Sequence, residues 1–194
     1  MHHFSQFKDQ IAFLNTFYGK SNEGFFIEAG AFDGERFSNT LWLERERNWT
    51  GLLIEPDSKN FASLKGKQRK SWLAHSCLSP VPYPTKMALK GGGAIGKMAF
   101  DKRGNQKMQH LICFPLESLL GAIGQYEVDY FSLDIEGLDY EVLSNFSWDA
   151  FDIKVLMVES NKGTREKILE FMAEMKYQHL KKITIDDIFQ KPKS

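Results

Sequence analysis

Four short apolar runs in this sequence each end in an acid: Glu28, Glu55, Asp134 and Glu159. If the runs are parallel strands of one sheet, the four carboxylates line its carboxyl edge, where α/β folds bind their ligands. Carboxylates gathered in that way need cations or hydroxyls, because otherwise they repel one another. The first acid sits in Phe26-Ile27-Glu28-Ala29-Gly30-Ala31-Phe32-Asp33-Gly34, which reads as a strand, a glycine turn and a helix entrance. Gly30 and Gly34 permit a left-handed backbone or a close approach by a ligand. A dinucleotide site would carry G-x-G-x-x-G, so that a pyrophosphate could sit on the helix N-terminus. Here bulky Phe32 and acidic Asp33 occupy that loop. Asp33 repels phosphate and suits an amine or a sulfonium, so the turn favours S-adenosylmethionine over a nicotinamide dinucleotide.

Glu55 lies 21 residues after Gly34, at the end of Gly51-Leu52-Leu53-Ile54. An acid at that distance is placed to accept both ribose hydroxyls, since a carboxylate offers two acceptor oxygens to a vicinal diol. Methyl transfer then asks mainly for orientation of the acceptor, and a hydroxyl acceptor also has to lose its proton. Asp134, Glu136 and His75 are the candidate bases. The chief alternative tenant of the acidic edge is a divalent metal on Asp134, Glu136 and Glu159, since hard cations take oxygen ligands. The sulfonium, the amino group and the ribose of the donor satisfy the same acids, so the reading assigns no resident metal.

The elements that must position these residues follow from hydrophobic periodicity. Phe4, Phe7, Ile11 and Leu14 predict an amphipathic helix within residues 1–22 that caps the sheet. Ser38-Asn39 offers an N-cap for a helix through Leu41 to about Asn48, and Asp57 or Ser58 for one holding Phe61 and Leu64. A strand spans about Trp72 to Cys77. Residues 78–110 break the rhythm with Pro80, Pro82, Pro84, Gly91-Gly92-Gly93 and Lys90, Lys97, Lys102, Arg103 and Lys107. A loop that long reads as a mobile basic flap over the substrate. Leu111 to Phe114 reads as a strand, and Pro115 starts a helix. Val128 to Asp134 and Ile153 to Glu159 are buried strands. Ile168, Phe171, Met172 and Met175 mark a helix, and residues 177–189 close as a hairpin. The sum is one α/β domain over residues 1–194, a doubly wound sheet, mostly parallel with one antiparallel edge strand near the C-terminus.

The 194 residues suit one domain with a full-sized core, and 25 basic residues balance 25 acidic ones. That neutrality gives no ground for nucleic acid as a partner or for an anionic membrane surface. No apolar run approaches the length of a membrane span, and the opening residues lack the core of a signal peptide. The expectation is a cytosolic protein, with Cys77 and Cys113 as reduced, small core residues.

Six ordered blocks resemble the FkbM-type methyltransferases: FIEAGAFDG, SNTLWLER (38–45), WTGLLIEPD (49–57), CFPLESLL (113–120), VDYFSLDIEGLDYEVL (128–143) and DIKVLMVE (152–159). The resemblance covers roughly residues 24 to 160 and looks closest to the Star-like animal branch. It implies a class I, Rossmann-like methyltransferase fold, S-adenosylmethionine as cofactor, and a small-molecule or sugar hydroxyl as acceptor. By position, it implies that Glu28, Gly30 and Gly34 face the methionine part and Glu55 the ribose, with Ser76 and Cys77 bordering the adenine. Asp33, Asn39, Pro56 and Asp134 complete the implied cofactor set. Asp134, Glu136 and Gly137 match the family's D-x-E-G block, which continues here to Asp139 in place of the usual glutamate. Star-like members also imply a second reading, a non-catalytic binding or trafficking module on the same fold.

Overall fold

The computed structural model describes residues 8–19, 21–100 and 108–192. Phe4, Phe7, Lys102, Arg103 and Lys107, named above for the capping helix and the flap, lie outside the described residues. Seven strands form the main sheet: β1 (Phe25–Ala29), β2 (Thr50–Ile54), β3 (Trp72–Ala74), β7 (Glu127–Leu133), β8 (Asp152–Glu159), β9 (Gln178–Ile183) and β10 (Asp186–Gln190). Their order is β3-β2-β1-β7-β8-β10-β9. β3, β2, β1, β7 and β8 run parallel, and β10 is antiparallel to both β8 and β9. The antiparallel strand is therefore one place in from the edge, and β9 closes the sheet outside it.

All five residues of β1 are buried, as a strand covered on both faces requires. Phe26, Leu53 and Tyr130 pack with Leu14, Leu43 and Leu64 from α1 (Lys8–Tyr18), α2 (Leu41–Arg47) and α3 (Ser58–Gly66). Their neighbours Ile27, Leu52 and Phe131 point the other way. They meet Leu116, Val142 and Ile168 from α4 (Leu116–Ala122), α5 (Asp139–Ser144) and α6 (Arg165–Glu174). Chain order reverses at β1, whose partners are β2 and β7. That switch point opens the crevice in which such sheets bind ligands.

The flap segment departs from the expectation of an irregular loop. It holds β4 (Thr85–Lys90), a short 3-10 turn at Gly93–Ile95, β5 (Lys97–Ala99) and β6 (Gln109–Cys113). These strands form a separate antiparallel sheet in the order β5-β4-β6, with Met87, Leu89, Met98 and both cysteines as its core. Short strands split by prolines and a glycine run carry too few residues to display a period, so the pattern was hidden. The segment is tied to the loop after β2 and to α3. Gln109 Nε2 donates to the carbonyl of Pro56 (2.6 Å), and Asn60 Nδ2 to that of Gly93 (3.1 Å).

Cys77 and Cys113 form a disulfide, which corrects the expectation of two reduced thiols. Both are buried as expected, but β6 returns beside the exit of β3. Leu78 and Phe114 pair in parallel there, and the two cysteine Cα atoms come within 4.4 Å. A count of two cysteines contains no information on that return.

Candidate functional site

The floor of the site is set by one glycine. Gly30 has φ +87°, and a Cβ at that position would lie 2.0 Å from the carbonyl oxygen of Asp134. Only glycine lets the exits of β1 and β7 come so close. The chain then turns through Phe32, itself left-handed at φ +49°, and the Phe32 N–H donates to Glu55 Oε2 (2.8 Å). Glu55 Oε1 accepts from the Asp57 N–H (2.8 Å) and from Asn60 Nδ2 (3.2 Å). Burial pushes the Glu55 carboxyl up to about 7, against the pull of those three hydrogen bonds. Beside Glu55 lies an apolar slot lined by Ile54, Pro56, Cys77 and Leu78, by Leu89 and Met98 from the small sheet, and by Ala94 from the turn between β4 and β5.

Glu28 is largely committed to its neighbours. Its Oε2 accepts from Ser38 Oγ (2.8 Å) and Thr40 Oγ1 (2.6 Å), and its Oε1 from the Asn39 N–H (2.6 Å). Burial raises its pKa, opposed first by Arg69 and then by those bonds. Three of its four acceptor positions hold the entrance of α2 against β1, so Glu28 shapes the chamber wall with one lone pair left, on Oε1. Asp33 is likewise committed, its Oδ1 accepting from the N–H groups of Glu35 (3.0 Å) and Arg36 (2.7 Å). Neither Asp33 nor Gly34 lines the described cavities. Gly34 is instead a packing point, since a Cβ there would lie 2.3 Å from Leu64 Cδ1.

A second chamber of about 260 Å³ adjoins the slot and shares Gly30, Phe32, Ala94, Asp134 and Glu136 with it. Asp134, Glu136 and Glu159 each offer it an oxygen, all within 4.8 Å of one another. Burial raises the Asp134 carboxyl well above the usual range, and Glu159 opposite raises it further. Glu136 is left-handed at φ +61°, and its Oε2 lies 3.4 Å from Lys97 Nζ on β5. Asp139 holds the turn from within, accepting from the N–H groups of Ile135 (3.2 Å) and Gly137 (3.1 Å). Its short side chain fits that local work and keeps it out of both cavities.

Asn39 is on the chamber wall, its N–H on Glu28 and its Nδ2 donating to Ser132 Oγ (3.0 Å). Pro56 and Cys77 border the slot. Ser76 does not reach it, because its Oγ donates to the Ile112 and Cys77 carbonyls. His75 is outside altogether. Its ring stacks on Phe61 (centroids 4.6 Å apart) and its Nε2 lies 3.3 Å from Ser58 Oγ, so it does not join Asp134 and Glu136. Sequence reasoning missed the slot residues Leu89, Ala94 and Met98 and the rim pair Phe32 and Phe37, whose rings lie 5.9 Å apart under Arg36. The left-handed backbone of both phenylalanines leaves no mark in the residue types alone.

A glycine turn at the switch point of a sheet ordered β3-β2-β1-β7-β8-β10-β9 defines a class I methyltransferase-like α/β fold. The chain belongs to the family described as the Methyltransferase FkbM domain, which it matches over residues 28–179. A search of curated proteins returns no match. Among solved structures it resembles the METTL16 methyltransferase domain at TM-score 0.55 and 12% identity, over 93% of this chain and 65% of that one. It also resembles precorrin-6y C5,15-methyltransferase from Geobacter metallireducens GS-15 at TM-score 0.53 and 10% identity, over 98% and 92%. Methyltransferase FkbM from Methylobacillus flagellatus KT aligns at TM-score 0.52 and 11% identity, over 87% of this chain and 44% of that one. At such identities the structural likeness speaks for the fold, and the family match names the FkbM domain without assigning a branch of it. Among the described residues no helix is long and apolar enough to cross a membrane.

Proposed function

We propose that this protein is an S-adenosylmethionine-dependent O-methyltransferase acting on a small-molecule or sugar hydroxyl. The observation that carries the reading is the pair of adjoining cavities with a common wall at Gly30 and Asp134. One has the apolar slot and acid that suit a nucleoside, and the other has carboxylates that can take a proton. The donor fits the residues present: Gly30 leaves room for close backbone approach, Ile54, Pro56 and Leu78 give an apolar bed for a purine, and Glu55 Oε2, which accepts one hydrogen bond, retains a lone pair for a ribose hydroxyl. When bound, the donor supplies an electrophilic methyl group on a sulfonium. Asp134 and Glu159 share a site in which the raised Asp134 carboxyl holds one proton, and the other carboxylate of the pair is the group that can accept the proton of an attacking hydroxyl. Phe32 and Phe37 form an apolar rim that can orient the acceptor, and orientation alone contributes roughly 7–11 kcal/mol.

The disulfide argues against the cytosolic expectation, since cytosolic thiols are kept reduced. It supports an oxidising compartment for this chain. Calorimetry with S-adenosylmethionine and its demethylated product tests the central reading, with binding of both in the micromolar range as the expected result. Absence of heat for both at millimolar concentration would overturn it in favour of the non-catalytic module.

A further inference from the structure

The acidic chamber is short of positive charge. Among the described residues, Glu136 is the one of the three carboxylates that meets a cation, Lys97, at 3.4 Å, and that lysine side chain is 59% exposed. Carboxylates alone would be weak grounds for a ligand, but Asn39 adds an independent observation. It is 8% exposed, lines the same chamber as Asp134, Glu136 and Glu159, and has its Nδ2 committed to Ser132. Its Oδ1 is buried with no donor partner. A buried amide oxygen without a donor is costly to keep, and this one belongs to a residue that lines the same chamber as the three carboxylates. Asn39 is held from both sides, by Glu28 on its N–H and by Ser132 on its amide. The orphan is therefore a fixed feature of the chamber.

We propose that the chamber binds a hard divalent cation of the Mg²⁺ or Mn²⁺ type through the carboxylates of Asp134, Glu136 and Glu159 and the amide oxygen of Asn39. Four oxygen donors and no nitrogen or sulfur select hard cations over zinc or copper. Two positions of an octahedron remain for water or for oxygens of the acceptor. A hydroxyl bound there loses its proton more easily beside the ion's charge. That last consequence rests on the methyltransferase reading, whereas cation binding itself does not.

The test is a titration of the full chain with MnCl₂, following the electron paramagnetic resonance signal of free Mn²⁺, with no donor or acceptor present. One ion per chain is expected, with Kd at or below about 100 μM, displaced by MgCl₂. Asp134→Asn and Glu159→Gln, both of nearly unchanged shape, should each weaken binding by about tenfold or more. Asn39→Ala should weaken it as well, and Asn39→Asp should restore it, which a purely structural role for Asn39 would not produce. Failure of the wild-type chain to take up Mn²⁺ below 1 mM, or uptake unchanged in the variants, would overturn the proposal. Donor calorimetry on the same preparation keeps the two readings apart: donor binding without Mn²⁺ uptake removes only the cation, and the reverse removes only the methyltransferase.

Discussion

Asp187 and Glu159 belong to neighbouring strands, with Asp187 opposite Val158 in the β10–β8 ladder, yet their surroundings are opposite. Asp187 is fully buried and accepts from Arg165 Nε (2.8 Å) and Nη2 (2.9 Å), from His179 Nε2 (2.8 Å) and from Ser160 Oγ. Burial alone would raise its pKa, but Arg165, Ser160 and His179 more than offset that and leave it below the usual range. One residue beyond Val158, Glu159 lines the chamber with Asp134 and Glu136, and no arginine among the described residues pairs with it. The raised pKa of Asp134 follows from burial and from Glu159. Burial does not separate a structural acid from a functional one. What separates them is whether the fold brings donors to it. Glu28 and Glu55 stand between the two: each accepts three hydrogen bonds, yet burial holds both carboxyls above the usual range, Glu55 at about 7.

That contrast can be broken from either side. The largest expected effect is on stability: Asp187→Ala should cost about 3 kcal/mol, because it strips a buried, charge-assisted network of its centre. Denaturant unfolding measures this, and donor affinity of the surviving folded protein should stay within about twofold. Asp134→Asn combined with Glu159→Gln should do the reverse. Methyl transfer should fall by about a hundredfold or more, as for loss of a positioned base, while the melting temperature holds or rises as repulsion is relieved. Donor turnover, read as release of the demethylated product, is the measurement. Equal melting losses in the two variants would dissolve the contrast.

Glu55→Ala sharpens the intermediate case. Loss of a carboxylate that accepts a ribose hydroxyl should weaken donor binding by about 2 kcal/mol, close to thirtyfold. An unchanged Kd in a folded variant would return Glu55 to a purely structural role, stitching the β1 and β2 exits together.

The smallest effect is in pH. Glu55 and Asp139, both raised to about 7 by burial, bind a proton more tightly folded than unfolded. Their contribution to stability is complete below the unfolded values near 4 and is lost as pH rises through about 7. Asp187 has the opposite sign, and its contribution is lost only as strong acid protonates it. Between pH 5 and 8.5, then, the melting temperature should fall by about 3 °C or more, and Asp139→Asn should flatten the slope. A melting temperature that climbs over this range would contradict the assignment.

Much of the site was legible because the period of a buried strand ends abruptly where an acid begins. Phe25-Phe26-Ile27 before Glu28, Leu52-Leu53-Ile54 before Glu55 and Val155 to Val158 before Glu159 place these acids on one edge whichever way the rest of the chain packs. His75 failed that logic, because a residue at a strand exit is aimed by its neighbours. Phe61 of α3 draws the ring outward.

By itself the sequence determined the alternation of strands and helices, the glycine that permits β1 and β7 to meet, and the residues present on the carboxyl edge. Those depend on local periodicity and on the absence of a Cβ at Gly30, both readable along the chain. Only the tertiary structure decided which acids stay unsatisfied. Ser38 and Thr40 reach Glu28 across ten and twelve residues, and Arg165 reaches Asp187 across 22. The same is true of the Cys77–Cys113 bond and of the small sheet beside the slot, which arise when residues 36 apart return to one place. A carboxylate's chemistry is set by the partners within hydrogen-bond distance of it, and those partners are assembled by folding.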